Sequence, residues 1–243
     1  MTVLSQEQRA TSLEAMTSQK FDVLVIGGGV TGAGIALDAA ARGLSTAVVD
    51  AQDWAAGTSS RSSRLVHGGL RYLYNLDFKL VAEALRERGR LLTTIAPHLV
   101  EAQPFLWPLK TPVIERAYSA VGVGMYDALA RIGSKGRKTV PIQRHLSKAG
   151  AMRRFPEIKR NALVGAIEFY DARVDDARLV ITLIRTAVKY GAAAASRVKV
   201  TEVLKDGRGR ACGVKAVDLE NGNEFTIEAD RIINATGVWT EQT

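Results

Sequence analysis

Three glycines at G-x-G-x-x-G spacing, Gly27, Gly29 and Gly32, are followed 18 residues later by an acid, Asp50. Such glycines let a backbone turn sharply, approach a pyrophosphate and seat the next helix close on a sheet; the acid is placed to accept hydrogen bonds from both hydroxyls of an adenosine ribose. The bare pattern also describes a glycine-rich turn with no ligand, so its context must decide. NAD and FAD share this half-site, whereas the 2′-phosphate of NADP would be repelled at position 50. A second chemistry-bearing stretch, GTSSRSSRLVHGGLRYL, runs from Gly57 to Leu73. The hydroxyls of Thr58, Ser59, Ser60, Ser62 and Ser63 and the exposed amides at Gly68 and Gly69 are groups that hold a pyrophosphate or a flavin edge. His67, Arg71 and Tyr72 add a titratable ring, a cation and a phenol. A polar loop capping the next helix would share that composition.

The elements needed to position these groups can be read around them. Phe21 to Ile26 is short, apolar and β-branched, as for a strand buried on both faces, and the glycines follow it at once. Helical spacing then runs through Ala36 and Ala40 to about Arg42, with Gly34 extending the close-packed face and Gly43 placed as a left-handed stop. Thr46 to Val49 reads as a second strand delivering Asp50. Strand, turn, helix, strand and acid thus fall in the order a dinucleotide half-site requires.

Farther along, Leu80, Val81, Ala84, Leu85, Leu91 and Leu92 predict a helix capped by Asp77. Pro97, Pro104, Pro108 and Pro112 make residues 98 to 112 extended or looped, with FLWPL as the strand. Ile114 to Ile132 is again helical, and a basic loop from Arg131 to Lys148 follows. An apolar helix beside such a loop suits an anionic membrane surface, or else a packed helix and a solvated loop. A strand ends at Phe169 and Tyr170, and Asp175 or Asp176 caps a helix through Leu179, Leu183 and Val188 to Gly191. Val198 to Leu204, Cys212 to Leu219 and Glu224 to Ile227, separated by DGRG and ENGN, form an antiparallel meander. Arg231 to Ala235 is a last strand that carries Thr236 and Gly237 to its carboxyl end.

At 243 residues and 47% hydrophobic, the chain is long enough to bury one or two cores. Its single cysteine, Cys212, excludes an internal disulfide and suits a reducing cytoplasm. A net charge of +8 favours anionic partners, yet no aromatic-interleaved basic cluster points to nucleic acid. Residues 1–20 are polar, without the apolar core of a secretory signal, and read as a frayed helix or tail.

The stretch from Phe21 to Asp50, followed by AQDWAAGTSSRSSRLVHGGLRYL, resembles the amino-terminal part of FAD-dependent glycerol-3-phosphate dehydrogenases, within the D-amino-acid-oxidase-like flavoproteins. The family's loop is TSS-x-SS-K-L-x-HGG-x-RYL, and only Arg64 departs visibly. APHL at Ala96 to Leu99, MYD at Met125 to Asp127, VDDARLV at Val174 to Val180 and NATG at Asn234 to Gly237 extend the match to roughly residues 20–240. Asp50 stands where many members have Glu, and Val238 where proline is usual. Members are about twice as long, so the resemblance places this chain as an amino-terminal half.

The resemblance implies an α/β fold: an FAD/NAD(P)-binding Rossmann-like sheet with an inserted antiparallel β-meander and part of a substrate domain. Residues 1–20 would be a polar tail, 21–95 and 171–243 the two segments of the FAD domain, and 96–170 the start of the substrate domain. Cofactor contacts would come from Gly27, Gly29, Gly32, Asp50, Thr58, Ser59, Ser60, Ser62, Ser63, His67, Gly68, Gly69, Val200, Thr236 and Gly237. No metal is expected. The implied reaction oxidises sn-glycerol 3-phosphate to dihydroxyacetone phosphate, with hydride passing to FAD and electrons then to membrane quinone. Arg71 is the candidate phosphate cation because guanidinium binds phosphate bidentately, Tyr72 a hydroxyl donor, and His67 a group that orients substrate, bonds the flavin or shares proton transfer. A cytoplasmic protein, peripheral on the inner face of the cell membrane, follows, and an exposed edge could pair two copies. Rival readings are an FAD-dependent amine or amino-acid oxidase, a non-catalytic flavin-binding module, and a chain unable to hold FAD or turn over alone.

Overall fold

A computed structural model describes residues 4–69, 72, 75–111, 114–133 and 139–242. Arg71, Lys135, Arg137 and Lys138 lie outside them. In chain order the elements are α1 (Gln6–Ser18), β1 (Phe21–Ile26), α2 (Val30–Ala41), β2 (Thr46–Asp50), β3 (Leu65–Val66), α3 (Phe78–Arg90), β4 (Val100–Leu109), α4 (Ile114–Gly133), β5 (Arg144–Ser147), α5 (Lys148–Arg154), β6 (Gly165–Val174), α6 (Asp176–Lys189), β7 (Ala193–Ser196), β8 (Val198–Lys205), β9 (Ala211–Asp218) and β10 (Glu224–Asn234). They form two compact units, Met1–Ser63 with Asp176–Thr243, and Arg64–Asp175.

The first unit is built on a six-stranded sheet of order β7-β2-β1-β10-β9-β8. β1 lies parallel to both β2 and β10, and β2 parallel to β7. Alternation along β1 sends Val23 and Val25 against Ala33, Ala36, Val180 and Ile184 of α2 and α6. Leu24 and Ile26 face the other way, against Val198, Val200, Val214 and Ala216 of the meander. Burial on both faces explains the unbroken apolar run from Val23 to Ile26. Register then sets the site: Ile26 stands opposite both Val49 and Asn234, so the chain leaves β1, β2 and β10 side by side at their carboxyl ends.

The second unit is an antiparallel sheet of order β3-β6-β4, with β5 also paired to β6. On one side Val81 and Leu85 of α3 pack on Tyr126 and Ala130 of α4.

Several expectations are corrected. The compact units divide at Ser63/Arg64, whereas the sequence reading places the boundary at 95/96, and α3 packs its apolar stripe on α4 of its own unit. The return falls at Asp175/Asp176 rather than 170/171, since β6 runs on to Val174 to pair with β3. Residues 100–109 form one strand whose prolines are accommodated because β4 pairs only with β6 among the described strands. Part of the basic loop is ordered as β5 and α5. The meander's third strand and the last parallel strand are a single strand, β10, antiparallel to β9 over Glu224–Glu228 and parallel to β1 from Ala229. Gly34 does not extend a close-packed face: a Cβ there would stand in open space. Of the two readings of the amino-terminal stretch, the described residues take the helical one, docked rather than frayed: α1 is capped by Ser5 and buries Met16 in the core. Its Ser12 hydroxyl accepts the Ala194 N–H at 3.1 Å, Gln8 donates to the Ala194 carbonyl at 3.2 Å and Arg9 to the Ser196 carbonyl at 3.1 Å. Side chains of a helix thereby satisfy the free edge of β7, which otherwise invites another strand.

Candidate functional site

Where β1, β2 and β10 end together, the first unit opens a cleft of about 510 Å³. Its floor is the glycine turn. Gly27 holds φ +113, and a Cβ there would overlap the Ala235 carbonyl. A Cβ on Gly32 would overlap the Gly27 carbonyl oxygen, so α2 can sit this close to the turn only with glycine at that position. Gly29 begins α2 without a capping side chain of its own. Ser59 supplies the cap from a distant loop, its Oγ accepting the Val30 N–H at 2.9 Å, which leaves its hydroxyl proton available to an anion at the positive end of the helix.

Asp50 is oriented by two backbone amides: Gly28 N–H donates to Oδ2 at 2.5 Å and Gln52 N–H to Oδ1 at 2.7 Å. Each oxygen keeps a lone pair for a ribose hydroxyl. Trp54 packs where a Gly28 side chain would stand, and Trp239 does the same at Gly57. On the far wall, Asn234 Oδ1 accepts from the Thr236 N–H and hydroxyl at 3.1 and 2.6 Å, fixing the turn that follows β10.

Of the expected cofactor residues, Gly27, Gly29, Asp50, Thr58, Ser59, Val200, Thr236 and Gly237 line this cleft, while Gly32 packs beneath it. Ser60, Ser62 and Ser63 do not line it. Ser60 Oγ donates to the Gly57 carbonyl at 3.4 Å, closing a turn within the loop, and Ser62 Oγ to Asp176 Oδ2 at 2.6 Å, tying the loop to the start of α6. His67, Gly68, Gly69 and Tyr72 belong to the second unit. There His67 is exposed, Gly68 is buried against Leu85 and Tyr126, and Gly69, at φ +72, closes a turn in which Tyr72 N–H donates to its carbonyl at 2.8 Å.

Sequence reasoning missed several groups. Gln52, Lys199 and Trp239 line the cleft. Arg61 Nη1 donates to the Ala56 and Gly57 carbonyls and so braces the serine loop. Arg88 is fully buried in the second unit, paired with Asp171. Burial, followed by the Asp171 charge, pushes the neighbouring Tyr126 phenol up, and burial likewise raises Asp127.

A parallel sheet with a G-x-G-x-x-G turn, an acid ending its second strand and a meander feeding back into the strand beside the first defines a two-segment dinucleotide-binding domain. Comparison with known proteins narrows the class. Residues 22–243 match the DAO family, described as FAD dependent oxidoreductase, and the chain belongs to that family. It is 51% identical over 239 residues to the glycerol-3-phosphate dehydrogenase of Mycobacterium leprae (strain TN), covering 98% of this chain and 40% of that one. The alpha-glycerophosphate oxidase of Streptococcus pyogenes serotype M1 is 41% identical, with 98% and 39% covered. The X-ray structure of the Bacillus halodurans glycerol-3-phosphate dehydrogenase, complexed with FAD, superposes with a TM-score of 0.70 at 30% identity, covering 98% of this chain and 38% of that one. The chain thus spans about 40% of the length of these relatives.

Proposed function

We propose that the cleft binds the adenosine diphosphate half of FAD and that the chain forms the amino-terminal part of an FAD-dependent oxidoreductase acting on sn-glycerol 3-phosphate. One observation carries the cofactor reading: three strand ends, a glycine turn with no room for a Cβ at Gly27 or Gly32 and an amide-oriented carboxylate converge on one cleft whose volume suits a small molecule. The Gly27–Val30 turn and the Ser59 hydroxyl would meet the pyrophosphate, Asp50 the ribose, and Val200 the adenine side. Bound FAD supplies a two-electron acceptor for oxidising a secondary alcohol to a ketone. The protein's part is then to bind the phosphate, orient the hydroxyl-bearing carbon and accept the hydroxyl proton. Arg71 is the proposed phosphate cation, Tyr72 a donor to substrate, and His67 the group that orients or shares the proton.

Relatives that include both a dehydrogenase and an oxidase support the substrate and differ in the name of the reaction. For this chain quinone is the proposed acceptor, reached from the membrane surface. No helix among the described residues is long and apolar enough to cross a membrane. Ten of the 33 Lys and Arg but one of the 25 Asp and Glu fall within residues 131–164, a net +9 against +8 for the whole chain. Ile142, Phe155 and Val164 are exposed in the same stretch, a combination suited to an anionic lipid surface.

The test is anaerobic mixing of the FAD-loaded protein, extended to the length of its relatives, with sn-glycerol 3-phosphate. Stoichiometric flavin bleaching is expected, with none from glycine; bleaching by the amino acid alone would refute the substrate assignment. Sedimentation with vesicles containing anionic lipid checks the membrane reading, which fails if neutral vesicles bind the protein equally.

A further inference from the structure

The loop after β3 is tied down at one amide. Gly68 N–H donates to Tyr126 Oη at 2.7 Å and to Asp171 Oδ1 at 3.2 Å. The Tyr126 hydroxyl donates to the same Oδ1 at 2.7 Å, and Arg88 Nη1 donates to it at 2.5 Å and to the Tyr170 carbonyl at 3.1 Å. Donors from α3, α4 and the loop thus converge on one carboxylate oxygen of β6. Arg88 and Tyr126 are both 0% exposed, with the guanidinium carbon 5.4 Å from the phenol ring centroid. Leu85 and Tyr126 fill the space a Gly68 side chain would need.

Stability alone does not account for this cluster. Withdrawing two charges from water costs several kcal/mol per ion, and an apolar set of similar volume is often as stable or more so. Here the cost is larger still, because Arg88 Nε and Nη2 have no hydrogen-bond partner among the described residues. What the cluster does secure is direction. A charge-assisted bond network aimed at a single peptide fixes that peptide far more tightly than apolar packing, which has no preferred angle. The peptide it fixes joins His67 to Gly68. On the near side, Val66 is held in register with Ala172 of β6; on the far side, Gly69 is closed into its turn by Tyr72.

We infer that Arg88, Asp171 and Tyr126 are positioning residues: a buried charged clamp that fixes the Gly68 amide and thereby sets the direction in which the exposed His67 ring is presented. The clamp rests on the proposed function only for what His67 is presented to.

The test is amide hydrogen exchange and His67 ring NMR on the 243-residue chain carrying Tyr126→Phe, which removes one hydroxyl and keeps the ring. Gly68 protection is expected to fall at least tenfold and the His67 resonances to shift and broaden, while Ile167 and Phe169 on β6 keep their protection. A role in holding the fold together would lower all of these in parallel, and that result, or unchanged Gly68 protection, overturns the clamp. Should Tyr126→Phe fail to fold, the triple variant Arg88→Met/Tyr126→Phe/Asp171→Leu removes both charges and both acceptors of the Gly68 N–H together; it is expected to melt no lower than wild type yet lose Gly68 protection, and retained protection overturns the inference. A wild-type chain that protects Gly68 but binds no FAD would refute the functional reading and leave the clamp standing.

Discussion

Two alanines on one helix should behave oppositely, and the difference can be worked out from the glycine turn. At Gly32 a Cβ would lie closer to the Gly27 carbonyl oxygen than any real Cβ contact, so Gly32→Ala forces the first turn of α2 to retreat by on the order of 1 Å. The amides at the start of that helix move with it. A hydrogen bond near 2.9 Å stretched by that much is lost, and bonds to a charged group contribute about 1.5–3 kcal/mol each. Losing two of them weakens FAD by about 3–6 kcal/mol, or roughly 10²- to 10⁴-fold. Overpacking should also lower stability by about 1–3 kcal/mol. Gly34, two residues on, has nothing within 4 Å of its missing Cβ. Gly34→Ala should therefore stabilise the chain by about 0.5–1 kcal/mol through the lower entropy of its unfolded state and leave FAD affinity within about twofold. Flavin fluorescence titration reads the affinity and urea unfolding the stability. Gly32→Ala binding FAD as wild type does, while remaining folded, would refute the claim that this turn is the pyrophosphate cradle.

Other consequences follow from single contacts. Ser12→Ala leaves the buried Ala194 N–H without its acceptor and should cost about 1–3 kcal/mol in urea unfolding; a change below about 0.5 kcal/mol would mean that α1 does not guard the edge of β7. The hydrogen bond from Arg9 holds the Asp218 carboxyl below its usual range, so its stabilisation is complete above about pH 4 and is lost as pH falls through the folded value. Asp218→Asn should lower the Tm at pH 7 and the gap from wild type should narrow as pH falls below the ordinary carboxylate range, whereas a pH-independent gap would assign the effect to packing. In the protein of family length, Arg71→Lys should raise KM for sn-glycerol 3-phosphate about tenfold or more with normal FAD content, because lysine lacks the bidentate fork; an unchanged specificity constant would remove Arg71 from the phosphate site.

The glycine turn and acid of the proposed nucleotide cleft were legible because their requirements are local and steric. Gly27, Gly32 and Asp50 stand at fixed spacing across a strand, a turn and a helix, and each is dictated by a contact within 30 residues or by the backbone itself. Other elements lacked such a signal. α1 reads as polar because only Leu13, Ala15 and Met16 pack on the core, and its docking depends on polar side chains answering a strand edge about 180 residues away. β7 is three alanines and a serine, with no β-branched residue to mark it. In β10 the polar Asp230 and Arg231 suggest a break, but at that point the strand only changes partner, from β9 to β1. The Arg88–Asp171 pair joins residues 83 apart in sequence and is invisible without the fold. The serine loop was legible as polar, though its division between cleft-lining Thr58 and Ser59 and the structural Ser60 and Ser62 depends on where the loop turns away.

The central claim, that the cleft beside β1, β2 and β10 holds the adenosine diphosphate half of FAD, is tested most directly by competition calorimetry on the purified chain. FAD should bind at one site per chain, ADP should displace it competitively, and FMN, which has the flavin but no adenosine, should neither bind there nor compete. FMN competing as well as ADP does, or FAD binding undisturbed by saturating ADP, would contradict it.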